Sequence, residues 1–462
     1  MIMGGRLTHD PLPTTSPMSS EEDDLGAETS LRTDSFRALL LAVLSMIALG
    51  HCQYTWTLFV EPFQVATAAS AAQVQLGFTC FVSLQTTSVL AIGVLVPSQR
   101  LRLCMCFGAM CLLVALLGLS LARSLSSLYV SAALMGLGVG SVYSVAMSIS
   151  VRAFPRRRGL AAGIVAAGYG AGTLPTIALI ERTIEGVGYA TALRGLAFGL
   201  SLTTLVAALA MPASFVAATS EQRQQQQRRQ ERHERQEQTQ RLEQAQQLKP
   251  SPIAPSAVEE VAPSVREMSL TDAAHQPSFW LLYIMLVLIS FVGLVVTAQL
   301  KPIAAAYALP AASVVRAMEF DRVLNGVSRP LWGLASDAMG RENAMGLAFA
   351  LQAAVLLVWS GLLASPSAFI ACSGLSTFSW GEIYSLFPAV AADLYGTQHI
   401  GATYGALYTG KAVASLLAGP VASSIASAFS WEVIVQLMAV ASALDALLAL
   451  VALKRVLGKP VC

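Results

Sequence analysis

The sequence predicts an all-α membrane protein with twelve transmembrane helices in two six-helix, pseudo-symmetric halves. Three observations lead there. Of 462 residues, 55% are hydrophobic and only 12% are charged, whereas soluble globular chains carry about 25% charged residues. Long charge-free stretches follow one another, and a hydrocarbon layer about 30 Å thick takes about 20 apolar residues as helix. Short motifs of the first half also return in the second. This composition excludes a soluble enzyme, a nucleic-acid binder and a disordered chain. The net charge of +2 says little about partners, because the charges gather at the ends of apolar runs.

Residues 1–35 are polar and acidic (Glu21, Glu22, Asp23, Asp24) and read as a disordered cytoplasmic tail, not a signal peptide. The N-terminal half, 36–211, draws its six spans from the charge-free intervals 38–60, 62–99, 103–122, 124–151, 159–180 and 195–220. Helices are required there because lipid offers the backbone no hydrogen bonds. Residues 212–274 form a Gln/Arg-rich cytoplasmic linker that includes Gln224 to Gln227 and then Pro250, Pro252, Pro255 and Pro263. It has no apolar stripe to pack.

The C-terminal half, 275–456, begins with span seven in 273–300. Span eight, about 313–336, carries charges. Interval 343–381 holds spans nine and ten, divided at Ser365-Pro366. Span eleven lies in 394–431, interrupted only by Lys411, and span twelve in 433–453, interrupted only by Asp445. Residues 457–462 are a short cytoplasmic tail.

Arginine and lysine fix the orientation. With the N-terminus inside, the inner loops receive Arg100, Arg102, Arg152, Arg156 to Arg158, the linker, Arg341, Lys454, Arg455 and Lys459. The outer loops hold few. Both termini are therefore expected in the cytoplasm, with the chain a monomer spanning the lipid bilayer of the plasma (inner) membrane. The seven cysteines show no disulfide or zinc spacing, and the five histidines show no metal spacing. No metal or cofactor is expected, and no nucleophile–base constellation suggests an enzyme.

A cation at mid-bilayer costs about 2.5–3.5 kcal/mol on insertion scales, so each is a functional candidate. Arg329 stands eight residues before Asp337, about 12 Å of helix. Lys411 lies about twelve residues, roughly 18 Å, into span eleven. Both fall near mid-depth. At about 100° per residue, Tyr404, Tyr408 and Lys411 share one face, Arg322 and Asn325 lie near Arg329, and Trp380 and Tyr384 are neighbours at i, i+4. Arg offers a planar fork for a carboxylate and Lys a point charge, so the set reads as a small anionic pocket. The alternative is structural ion pairing with Asp321, Glu382 or Asp393. A regular helix points Glu382 away from Trp380 and Tyr384, which leaves it paired, protonated or a proton-coupling group. Asp445 reads as interfacial or paired. Gly405 to Ala412 nearly matches a phosphate loop, but Ala412 replaces the metal-binding hydroxyl and the segment is a span interior.

Tyr143-Ser-Val corresponds to Tyr384-Ser-Leu, Gly159 to Gly401, and Gly93-to-Arg100 to Gly333-to-Gly340. Parallel six-helix repeats are the architecture of major facilitator transporters, with substrate held near the midplane. Gln53-Tyr-Thr-Trp-Thr-Leu58, Gly138-Val-Gly-Ser-Val-Tyr143, Arg158-Gly-Leu-Ala-Ala-Gly163 and Ala166-Ala-Gly-Tyr-Gly170 resemble the oxalate:formate antiporter family of that superfamily. So do Asn325-Gly-Val-Ser-Arg-Pro330, Trp380-Gly381, Ser385-Leu-Phe-Pro388, Tyr395-Gly-Thr397 and Lys411-Ala-Val-Ala-Ser415.

The resemblance implies that Arg329 and Lys411 hold the carboxylates of oxalate, enclosed by Gln53, Tyr54, Tyr143, Tyr169, Trp380 and Tyr384. Tyr408 stands where the family often has Trp. The superfamily loop motif is intact as Gly333, Asp337, Gly340 and Arg341, and lacks its acid in the first half. The expected function is oxalate/formate antiport by alternating access. One alternative is a proton-coupled lactate or pyruvate symporter, with Glu382 or Asp321 as the coupling group. A more distant one is a carboxylate sensor signalling through the linker.

Overall fold

Apolar runs that must satisfy their own backbone in lipid become helices, and the computed structural model contains helices and no strands among its described residues, 18–95, 100–153, 158–212, 267–396 and 399–457. The predicted tail up to residue 17, most of the linker, loop residues 96–99 and the last residues 458–462 lie outside them. Among the described residues, ten helices are long and apolar enough to cross a membrane. They are Thr33–Tyr54, Ala71–Val94, Leu101–Leu121, Leu125–Ser150, Gly163–Val187 and Tyr189–Ala210, followed by Pro277–Ala306, Arg341–Ser360, Ile400–Ala428 and Trp431–Val456.

The two remaining passes are as long and more polar. Span eight is Ala311–Met339, and span ten is Pro366–Trp380 continued into Leu386–Tyr395. These two carry Arg322, Arg329 and Glu382, which is why they fall short on apolarity. Ten and two make the expected twelve.

Three boundaries differ from expectation. The first helix begins at Met18, so residues 18–35 are helical where disorder was predicted. Span six starts at Tyr189 and takes in Arg194, which stays exposed. Span ten is interrupted by a tight 3-10 turn at Gly381–Tyr384.

Breaks recur in the passes that line the centre. Thr55 separates Met18–Tyr54 from Trp56–Thr67. Leu174–Thr176, with Pro175, splits span five. Span eleven widens into a π-helical turn at Leu417–Val421 around Pro420. The carbonyls of Ala418 and Gly419 there accept from Gln299 Nε2 of span seven at 2.9 and 3.0 Å, so the loosened backbone stays satisfied. Spans two and four pack backbone to backbone: a Cβ on Gly140 would lie 2.2 Å from the Gln85 carbonyl oxygen.

The halves also meet at the end opposite the linker. Lys301 Nζ pairs with Glu181 at 3.1 Å, the Lys301 backbone N–H donates to Thr57 Oγ1 at 3.0 Å, and Gln75 Nε2 donates to the Ala298 carbonyl at 2.8 Å. At the linker end, Arg341 pairs with Asp337 at 2.7 Å and with Asp393 at 3.2 Å. The loop motif is thereby tied to the end of span ten, and Asp393 is removed as a partner for the central cations.

Candidate anion site between the halves

Span one ends its first segment at Tyr54, so Gln53 and Tyr54 sit where the helix breaks. Lys411 lies in Gly410–Leu416 of span eleven, directly after the interruption at Thr409. Its Nζ donates to Gln53 Oε1 at 2.8 Å and to Tyr408 OH at 3.2 Å. Arg329, from span eight, donates from Nε and Nη2 to Asn325 Oδ1 at 3.1 and 2.9 Å, and from Nη2 to Tyr54 OH at 3.1 Å. Its Nη1 donates to the Ala166 carbonyl of span five. Each cation of the second half therefore bonds to the first half. Both are fully buried.

Their partners are neutral oxygens. Among the described residues no carboxylate pairs with Arg329 or Lys411. Two uncompensated buried cations are a costly arrangement unless an anion is brought in to share their field.

The predicted aromatic set surrounds them. Tyr384 lies under the Arg329 guanidinium at 4.0 Å from the ring centroid. Lys411 Nζ is 5.3 Å from the Tyr408 ring and 5.7 Å from that of Tyr384. Tyr143 stacks on Tyr408 at 5.8 Å, Tyr54 meets Tyr169 and Trp380 edge-on, and Trp380 meets Tyr384 at 5.5 Å. Ring faces attract cations, so the shell steadies both charges in an otherwise apolar interior. Tyr404 packs on Tyr408 at 5.6 Å, as the helical phase requires.

Close backbone approaches make room for this shell. A Cβ on Gly170 would stand 2.8 Å from Asn325 Oδ1, and one on Gly293 only 2.0 Å from the Trp380 indole. Among the described residues, the buried donors Gln53 Nε2, Trp380 Nε1 and Tyr384 OH have no protein partner. Two cations, an amide, an indole N–H and a phenol form a set suited to a small oxygen-rich anion.

Sequence reasoning missed Gln85, whose Nε2 donates to Tyr169 OH at 3.1 Å, while that hydroxyl donates to Gln53 Oε1 at 3.1 Å. It also left Arg322 and Asn325 unassigned, although their helical phase pointed at Arg329. Glu382 stays among its open alternatives, and Asp445 departs from expectation. Glu382 sits in the 3-10 turn, fully buried, and neither carboxyl oxygen has a hydrogen-bond partner among the described residues. Asp445, predicted as interfacial or paired, is fully buried and equally without partners there. It lies within electrostatic reach of Glu382. Asp321 has Arg322 at 4.0 Å as its ion-pair neighbour. No group of three metal-ligating side chains occurs among the described residues.

The Major Facilitator Superfamily profile matches residues 38–319 and 323–460. The oxalate:formate antiporter of Oxalobacter formigenes is 30% identical over 439 residues, 94% of this chain and 95% of that protein. YhjX of Escherichia coli, an uncharacterised transporter of the same superfamily, is 24% identical over 82% of this chain and 85% of its own length. Apicoplast pyruvate carrier 2 of Toxoplasma gondii is 34% identical over 91 residues, 20% of this chain and 14% of the carrier.

Proposed function

The chain belongs to the oxalate:formate antiporter family of the major facilitator superfamily, and on that premise we propose that it exchanges oxalate for formate. The observation that carries this reading is the Arg329/Lys411 pair, fully buried and without a carboxylate partner among the described residues. Oxalate brings two charges to two cations. Formate brings one and leaves a surplus, which favours the dianion when both cations are charged.

The same electrostatics supports antiport. Closing the centre around two bare cations is unfavourable, and closing it around a cation pair with its anion is not. The carrier then changes face only when loaded, as strict exchange requires. Arg329 and Lys411 each bond to the first half, so an anion that draws on both is felt by both halves during the rocking step. In this reading the chain works as a monomer in the plasma membrane, with the linker and both termini in the cytoplasm.

Proteoliposomes preloaded with formate should accumulate external oxalate, and Lys411→Ala should abolish this while the protein keeps its fold and expression. Accumulation of neither anion by counterflow would refute the substrate assignment. A proton-coupled monocarboxylate symporter is favoured by the carboxyl of Glu382, buried and without a hydrogen-bond partner among the described residues. Uptake of lactate or pyruvate driven by an imposed pH gradient, with no internal counter-anion, selects that reading.

A further inference from the structure

We infer that Arg322 is a further anion contact, holding a substrate carboxylate between Arg329 and the face opposite the linker; this rests on the carboxylate reading of the central site. Arg322 is 3% exposed, with its guanidinium 3.9 Å from the centroid of the Tyr54 ring. Its Nε and Nη1 have no hydrogen-bond partner among the described residues, and Asp321 stands at 4.0 Å, beyond hydrogen-bond distance. A guanidinium has five N–H donors and no acceptor, and leaving them unmet in an apolar interior is costly. Such a group suits a ligand that arrives with its own acceptors.

Its position along span eight gives it a direction. Seven residues separate Arg322 from Arg329, two turns on the same face and about 10 Å of rise. Arg329 lies nearer the Asp337 and Arg341 end, so Arg322 lies toward the opposite face. Tyr54 joins the two cations. Its ring covers Arg322, and its hydroxyl accepts from Arg329 at 3.1 Å and from Asn325 at 3.3 Å. A carboxylate released by Arg322 has one side chain to pass before it reaches the Arg329 fork.

Asp321 is the resident competitor. It shares the Arg322 charge, with Ser373 beside it. A passing carboxylate must win the guanidinium from it, so the hold at Arg322 is weak enough for release. The two neighbours should therefore act with opposite signs.

The test uses the full chain in right-side-out and inside-out membrane vesicles loaded with formate, measuring the KM for radiolabelled oxalate at each face. Arg322→Gln should raise KM roughly tenfold at the face opposite the linker, the loss of one charge-assisted hydrogen bond, and leave the linker face unchanged. Asp321→Asn should lower KM at the same face. A purely structural role for Arg322 would move both faces together. An equal change at both faces, or none, overturns the proposal and leaves the carboxylate reading intact. If the unaltered chain exchanges neither anion, both fall. Should Arg322→Gln fail to reach the membrane, Arg322→Lys and Asp321→Asn decide the matter. A one-sided rise in the first and a one-sided fall in the second support the staging contact, and any other pair of results overturns it.

Discussion

Lys411 Nζ donates to Gln53 Oε1 at 2.8 Å, and this bond joins the second half of the chain to the first through the middle of the site. The acceptor is an amide oxygen, so it satisfies the ammonium without neutralising it. Replacing it by a carboxylate changes that. Gln53→Glu should place a fixed anion on Lys411, compete with the substrate and weaken oxalate binding by tenfold or more, in the range of a charge-assisted contact of about 1.5–3 kcal/mol. Gln53→Leu, of similar bulk, should cost less because no anion is introduced. Oxalate titration of the purified protein, followed through Trp380 fluorescence, checks the order. Equal losses in both variants would show that Gln53 acts through packing alone.

Arg329 uses three of its nitrogens on partners from three passes: Asn325 on its own helix, Tyr54 of span one and Ala166 of span five. Arg329→Lys keeps the charge and loses the planar fork, so it is not a conservative change here. Oxalate exchange should fall roughly tenfold to hundredfold, more than formate self-exchange, because only the dianion presents two carboxylates. Initial rates of oxalate and formate exchange in proteoliposomes measure the ratio. An equal drop for both anions would place the loss in folding or gating.

Arg329 and Lys411, with Tyr404, Tyr408, Trp380 and Tyr384, were legible because depth and helical phase are one-dimensional quantities, readable from charge-free run lengths and a period of 3.6 residues, whereas Gln53, Tyr54, Tyr143 and Tyr169 entered only through the family resemblance. The partners were not. Gln85 of span two reaches Tyr169 of span five, and the Ala166 carbonyl is presented by a neighbouring helix. No spacing within one segment encodes either contact. Glu382 was placed by assuming a regular helix through Trp380 and Tyr384. The 3-10 turn at Gly381–Tyr384 breaks that regular helix, although Trp380 and Tyr384 still meet at 5.5 Å. Asp445 was read as interfacial or paired from its place toward the cytoplasmic end of span twelve, which says nothing about what packs over it.

Gly293 gives the Trp380 indole its seat. An added Cβ would fall 2.0 Å from the ring, and the indole is too large and too fully buried to step aside. Gly293→Ala should therefore displace Trp380, with an overpacking cost of about 1–3 kcal/mol. A lower unfolding temperature, a shifted Trp emission and reduced oxalate affinity are expected together. Unchanged emission with unchanged exchange would mean that spans seven and ten separate to absorb the methyl group.

At the end opposite the linker, Glu181 of the first half pairs with Lys301 of the second at 3.1 Å, with Lys301 23% and Glu181 9% exposed. A half-buried pair of this kind adds little to global stability, about 0–1 kcal/mol by analogy with exposed pairs. A rocking carrier is sensitive to small differences between its end states, however, and 1.4 kcal/mol shifts their ratio tenfold. Glu181→Gln removes the charge and keeps the shape, so it should favour opening at that end while leaving the unfolding temperature nearly unchanged. Cys52, buried and adjacent to Gln53, is a built-in reporter once the other cysteines are replaced by serine. Its labelling by a membrane-impermeant maleimide from that face should rise severalfold in Glu181→Gln, and oxalate should suppress the increase. If labelling stays at the unaltered level, the Gln75–Ala298 and Thr57–Lys301 hydrogen bonds hold that end closed without the ion pair.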